Sequence, residues 1–95
     1  MYARITTFTV DPDRLGELQA RILELRRLVK ALPGMVDAHV GWRSDGHGVV
    51  IAVYESRERA DAAMKRLQVI FGTLASLLTG PPRTDAYEFV EHITH

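Results

Sequence analysis

The sequence predicts a four-stranded antiparallel sheet with two helices on one of its faces, on three observations. An Asp45-Gly46 turn joins two apolar runs in the middle of the chain. Apolar residues at helical spacing precede that hairpin and follow it, and period-2 runs lie at both ends. The order is β-α-β-β-α-β within 95 residues, and right-handed crossovers turn that order into a ferredoxin-like α+β sheet, a split βαβ unit.

Tyr2 to Val10, rich in Thr, Ile, Phe and Val, reads as the first strand and stops at Asp11-Pro12. Asp11 suits an N-cap and Pro12 the first helical position, where its missing N–H costs nothing. Leu15, Leu18, Ile22, Leu25, Val29 and Leu32 then form one continuous stripe, which packs a helix against a sheet. Pro33-Gly34 ends that helix and opens the hairpin, with arms Met35 to Arg43 and Gly48 to Glu55. A two-residue Asp45-Gly46 turn pairs Gly41 with Val50 and His39 with Ala52. That register sets Asp37, His39, Gly41, Arg43, Val50, Ala52 and Tyr54 on one face. The other face carries Val36, Ala38, Val40, Trp42, Val49, Ile51 and Val53. Ser56 caps a second helical region from Arg57 to Leu78, whose apolar side is Ala60, Ala63, Met64, Leu67, Ile70 and Phe71, with a break at Gly72. Gly80-Pro81-Pro82 stops helix, and Thr84 to Ile93 alternates as the last strand.

The length fits one domain spanning 1–95, small enough to gain from association. Twelve basic and twelve acidic residues balance, which argues against nucleic acid as a partner. No apolar run approaches the ~20 residues a membrane span needs, and the N-terminus lacks a signal-peptide core. The absence of cysteine excludes disulfide and thiol chemistry and suits a cytoplasmic protein.

Tyr2-Ala3-Arg4, Leu32-Pro33-Gly34-Met35, Val53-Tyr54-Glu55-Ser56 and Gly80-Pro81-Pro82 together give a chain that resembles the antibiotic biosynthesis monooxygenase family of dimeric α+β barrels. The resemblance spans nearly the whole length. It implies a homodimer with a pocket between sheet and helices, and an activity such as cofactor-independent oxygenation of polycyclic phenols or haem degradation. The haem-degrading members use an Asn, a Trp and a His where this chain carries Thr6, Ala63 and Thr73, so the resemblance does not extend to haem chemistry. The phenol oxygenases use an Asn and a Trp on the third strand, a His on the second and a helical Tyr. The matching residues here are Val50, Tyr54, Gly41 and Ala60.

His39 is the candidate base. Histidine as a residue type changes charge near neutrality, and a phenolate can pass an electron directly to O₂. The alternative is a strand histidine satisfied by a neighbour. Arg4 and Thr6 are candidate ligand contacts, with Arg4 able to orient an anionic or phenolate group; a rim salt bridge to Glu88 or Glu91 is the alternative. Tyr54 and Tyr87 are candidate walls for an aromatic ligand, or core-edge residues with a wet hydroxyl. Trp42 reads as interface or core. No cofactor or metal is expected: His92 and His95 are three apart near the chain end, and no metal-type histidine spacing occurs. The face with Val36, Val40, Trp42, Val49, Ile51 and Val53 exceeds what a monomer leaves in water, so it predicts a homodimer built sheet to sheet. Two functional readings follow. One is a cofactor-independent monooxygenase-like enzyme for a small aromatic or polyphenolic substrate. The other is a non-catalytic dimeric module that binds a small hydrophobic ligand or serves a structural role.

Overall fold

A computed structural model describes residues 1–94. The strands are β1 (Tyr2–Thr9), β2 (Met35–Trp42), β3 (His47–Tyr54) and β4 (Arg83–Tyr87), and the helices α1 (Leu15–Lys30) and α2 (Arg57–Gly72). The sheet order is β2-β3-β1-β4 with every neighbouring pair antiparallel, the ferredoxin-like arrangement the sequence predicts.

Both helix entries form as expected. The Asp11 carboxylate accepts the Asp13 N–H at 2.9 Å, and Pro12–Arg14 makes one tight turn before α1. The Ser56 hydroxyl accepts the Arg59 N–H at 3.2 Å at the start of α2. The α1 stripe splits between two cores. Leu25, Val29 and Leu32 pack with Tyr2, Ala52, Tyr54, Ala60, Ala63, Leu67 and Ile70. Leu15, Leu18 and Ile22 pack with Val10, Leu77, Phe8 and Trp42. Met64, expected on the buried side of α2, is exposed at its border.

The hairpin register differs from the sequence expectation by one residue. The Arg43 N–H donates to the His47 carbonyl, the Gly46 N–H donates to the Arg43 carbonyl, and Gly46 has φ +93°. These bonds define a loop of three residues, Ser44 to Gly46, with glycine in the left-handed position. The loop is held from within by Asp45, whose carboxylate accepts the His47 N–H at 3.0 Å. That backbone bond, the largest cause, draws the Asp45 pKa below its ordinary value. Gly46 is needed twice over, because a Cβ there would also run into the Val10 carbonyl. Asp-Gly signals a hairpin but does not fix its loop length, and one extra loop residue reverses the facing of a whole strand.

Ala38 therefore pairs with Ala52, His39 with Ile51, Val40 with Val50 and Trp42 with Gly48. Through β3 and β1 the helix-facing side carries Tyr2, Arg4, Thr6, Phe8, Val50, Ala52, Tyr54, Ala38, Val40 and Trp42. The opposite, open side carries Ala3, Ile5, Thr7, Val49, Ile51, Val53, Asp37, His39 and Gly41. Trp42 and Val40 thus leave the expected dimer surface, and Trp42 packs in the second core, where the sequence also allowed it. Val36 sits at a bulge between Met35 and Asp37 and is exposed. The bulge turns Met35 back toward the helices, against the first core.

β4 ends earlier than the alternation to Ile93 predicts. Its pairing with β1 stops where Tyr87 stands opposite Ala3, one residue from the end of that strand. Residues 88–94 form no strand in this chain.

Candidate functional site

Arg4 is the polar residue that the sheet thrusts under α2. β1 pairs with β3 on one side and β4 on the other, setting Arg4 between Ala52 and Ala86. The two alanines leave lateral room, and the guanidinium reaches up to the first turn of α2. Its Nη1 donates to the Ala60 carbonyl at 3.2 Å and its Nη2 to Asp61 Oδ1 at 2.6 Å. Its carbon lies 5.5 Å from the centre of the Tyr2 ring, within cation–π range. Burial pulls the Arg4 pKa down, but the hydrogen bonds with Asp61 and Tyr2 outweigh it and the pKa is raised. The charge is fixed at every pH at which the protein folds. The sequence anticipated an ion pair for Arg4 with Glu88 or Glu91; the acid it meets is Asp61, on the helix instead of the last strand.

Beside it, Tyr54 is fully buried among Ala52, Ala60, Ala63 and Leu67, and no protein group bonds its hydroxyl. Desolvation is the main cause that raises its pKa, with the Arg4 charge acting in the opposite direction. A buried hydroxyl without a partner costs about 1–3 kcal/mol. Such an atom is where a bound polar group gains most. Thr6, two residues along β1 on the same side, exchanges a hydroxyl hydrogen bond with Thr84 at 2.8 Å. A surface groove of about 270 Å³, lined by Met1, Tyr2, Glu55, Ser56, Arg57, Glu88 and Phe89, shares Tyr2 with this cluster.

Two sequence candidates stand apart from it. His39 is on the open side of the edge strand, its Nε2 3.0 Å from Asp37 Oδ2, with both side chains well exposed. Tyr87 pairs with Ala3 and so also faces the open side, half exposed, away from Tyr54. The structure brings together Arg4, Thr6 and Tyr54 on one face and leaves His39 and Tyr87 on the other. Two residues of the cluster, Tyr2 and Asp61, were not singled out in the sequence. Asp61 carried only the signal of an acid one turn into a helix, which reads as a solvated surface charge. His92 lies within the described residues and His95 outside them. Among the described residues no three His, Asp or Glu side chains gather as a metal site. No helix among them is long and apolar enough to cross a membrane.

The fold and the cluster beneath α2 define a ferredoxin-like protein with its polar groups held between sheet and helices. The chain belongs to the antibiotic biosynthesis monooxygenase family, whose pattern matches residues 1–69. Solved structures share the fold at low identity. Rv0793 from Mycobacterium tuberculosis is 20% identical over 98% of each chain, with a TM-score of 0.78. A candidate antibiotic biosynthesis monooxygenase from Caulobacter crescentus is 19% identical over 95% of this chain and 90% of its own, with a TM-score of 0.81. NE2512 from Nitrosomonas europaea, a protein of unknown function, is 14% identical over 99% and 93%, with a TM-score of 0.82. No curated protein matches the chain.

Proposed function

We propose that the chain is a monooxygenase-like enzyme that acts on a small aromatic or polyphenolic substrate without a bound cofactor, as a homodimer. The observation that carries this reading is the Tyr54 hydroxyl, buried and unbonded beside the Arg4 guanidinium. A phenolic ligand answers both groups. Its oxygen accepts from Tyr54, and its ionised form is favoured by the Arg4 charge in a low-dielectric site. Thr6 offers a further hydroxyl, and Tyr2 belongs both to the cluster and to the lining of the groove.

Family membership supports the reaction class. The phenolate reduces O₂ by one electron, and the radical pair joins at an activated CH₂ of the ring system to give a hydroperoxide. Loss of water leaves a carbonyl, so one oxygen atom enters the product and the other leaves as water. The substrate supplies all four electrons that O₂ takes up, and the two hydrogens of its CH₂ leave in the water. The chain's residues would bind and orient the phenol and hold its charge. Entry requires Arg4 to release Asp61, whose carboxylate is half exposed.

A second reading, a non-catalytic module that binds a small hydrophobic ligand, is favoured by the strand register. His39, the candidate base, faces away from Tyr54 and could deprotonate only a ligand held on the open side. Oxygen uptake with a panel of quinol-type and anthrone-type phenols, no cofactor added, separates the two. Uptake with one carbonyl formed per O₂ supports the enzyme, and saturable quenching of ligand fluorescence with no uptake supports the module.

The dimer rests on the open side of the sheet. Ile5, Val49, Ile51 and Val53 form an apolar centre, flanked by Asp37 and His39 on β2 and by Arg83 and Asp85 on β4. An apolar centre inside a polar rim is the anatomy of a protein interface. The chain exposes 6696 Å², against about 5,500 Å² for a folded monomer of its mass. The excess of roughly 1,200 Å² is larger than the about 800 Å² that one partner contributes to a standard interface.

A further inference from the structure

The Asp61 carboxylate stands between two guanidinium groups. Its Oδ1 accepts from Arg4 Nη2 at 2.6 Å, and its Oδ2 lies 4.0 Å from Nε of Arg57, one turn earlier on α2. The two arginines differ in their surroundings. The Arg4 side chain is 16% exposed beneath the helix, whereas that of Arg57 is 69% exposed and lines the groove that also contains Tyr2. Arg4 has holds besides Asp61: Nη1 donates to the Ala60 carbonyl at 3.2 Å, and the Tyr2 ring lies beside its guanidinium carbon.

We propose that Asp61 is the internal counter-ion of the site: in the empty protein it occupies the place that the negative group of an aromatic ligand takes, and Arg57 receives its carboxylate on displacement. The inference deepens the phenol-binding reading and rests on it. A part-buried cation without a counter-ion is costly, so Arg4 keeps an anionic partner in either state. Asp61 suits the role because its carboxylate is half exposed, and on leaving Arg4 it turns to water beside a second cation. The Ala60 and Tyr2 contacts hold the Arg4 guanidinium meanwhile, and Nη2 is the donor set free. A charged ligand exchanges one ion pair for another. A neutral ligand would strip Arg4 of its counter-ion without replacing it, so it binds against Tyr54 with the Arg4–Asp61 pair closed. Asp61 therefore sets how much a charged ligand gains over a neutral one, and Arg57 is a positioning residue that acts through it.

The test is a fluorescence titration of the full chain at pH 7 with 2-naphthol and with 6-hydroxy-2-naphthoate, which adds a carboxylate to the same rings and hydroxyl. It uses wild type, Asp61→Asn, Arg57→Gln, the double variant of these two, and Tyr54→Phe as the marker of the site. Glu58→Gln is the control for net charge, since it removes an acid from the same end of α2. Asp61→Asn should bind the naphthoate about tenfold more tightly and leave 2-naphthol within about twofold of wild type. Arg57→Gln should weaken the naphthoate about threefold when Asp61 is present and not at all when it is replaced. Naphthoate binding that depends on Tyr54 but does not change in Asp61→Asn overturns the counter-ion and leaves the site standing. So does a gain of equal size in Glu58→Gln, which marks a general effect of charge. A loss in Arg57→Gln that persists without Asp61 overturns the part given to Arg57. If neither compound binds wild type or Asp61→Asn, the site falls and the counter-ion with it.

Discussion

The two sides of the sheet are made by the same strands, residue by alternate residue, yet they have opposite characters. The helix side holds Tyr2, Ala52 and Tyr54 almost out of water, closes around the Arg4 charge, and leaves one polar atom unpaired in the middle of its packing. On the open side Ile51 is 36% exposed, and the polar groups sit at the edges with near partners, as His39 does with Asp37. The unmet need on the helix side is a hydrogen bond, and on the open side it is apolar cover. The first need suits the small ligand proposed above, and the second suits the proposed second copy of the chain.

The contrast breaks first where packing is tightest. Leu18, 1% exposed in the second core, should cost about 2–5 kcal/mol when replaced by alanine, read from urea unfolding. Gly48→Ala should cost about 1–3 kcal/mol, because its Cβ would point into the Phe8 ring on the helix side. If either change proves neutral, the helix side is not the packed side.

Ile51→Asp probes the open side at its apolar centre. It should raise the dimer dissociation constant on the order of 100-fold and leave far-ultraviolet dichroism of the monomer in place. Unfolding of the monomer instead would mean that Ile51 belongs to a core within the chain.

Tyr54→Phe sharpens the comparison because it should stabilise. Removing a buried hydroxyl that no protein group bonds should add about 1 kcal/mol in the absence of ligand. The pH dependence has a definite sign. Burial raises the folded-state pKa of Tyr54 above its ordinary value near 10, so the folded state holds the proton longer than the unfolded chain. Stability is complete below pH 10 and falls as pH rises beyond it. The phenylalanine variant should lose part of that alkaline decline. His39→Ala has the smallest expected effect, within about 0.5 kcal/mol, since its side chain is two-thirds exposed.

The order of elements was legible in the sequence because each boundary carries its own chemistry: Asp11 and Ser56 as caps, Pro33-Gly34 as an exit, Gly80-Pro81-Pro82 as a stop. The facing of β2 was not legible. It depends on whether the loop around Asp45-Gly46 has two residues or three, and only the Arg43–His47 backbone bond decides that. The candidate site divided along the same line. Arg4, Thr6 and Tyr54 stand on two strands whose faces the hairpin loop does not set, and they came out together. His39 stands on the strand that the loop does set, and it came out on the far side. The end of β4 was hidden for a different reason: the alternation runs on to Ile93, but pairing with β1 stops at Tyr87, opposite Ala3.

The proposed function rests on the Arg4–Tyr54 cluster beneath α2 receiving a phenolic ligand. Its most direct test is a fluorescence titration with 2-naphthol at pH 7 and again at alkaline pH, where the ligand ionises, using wild type, Arg4→Gln, Tyr54→Phe and His39→Ala. Binding should be about tenfold weaker in Tyr54→Phe, lose its preference for the ionised ligand in Arg4→Gln, and stay unchanged in His39→Ala. Binding that vanishes in His39→Ala and survives intact in Tyr54→Phe would contradict it.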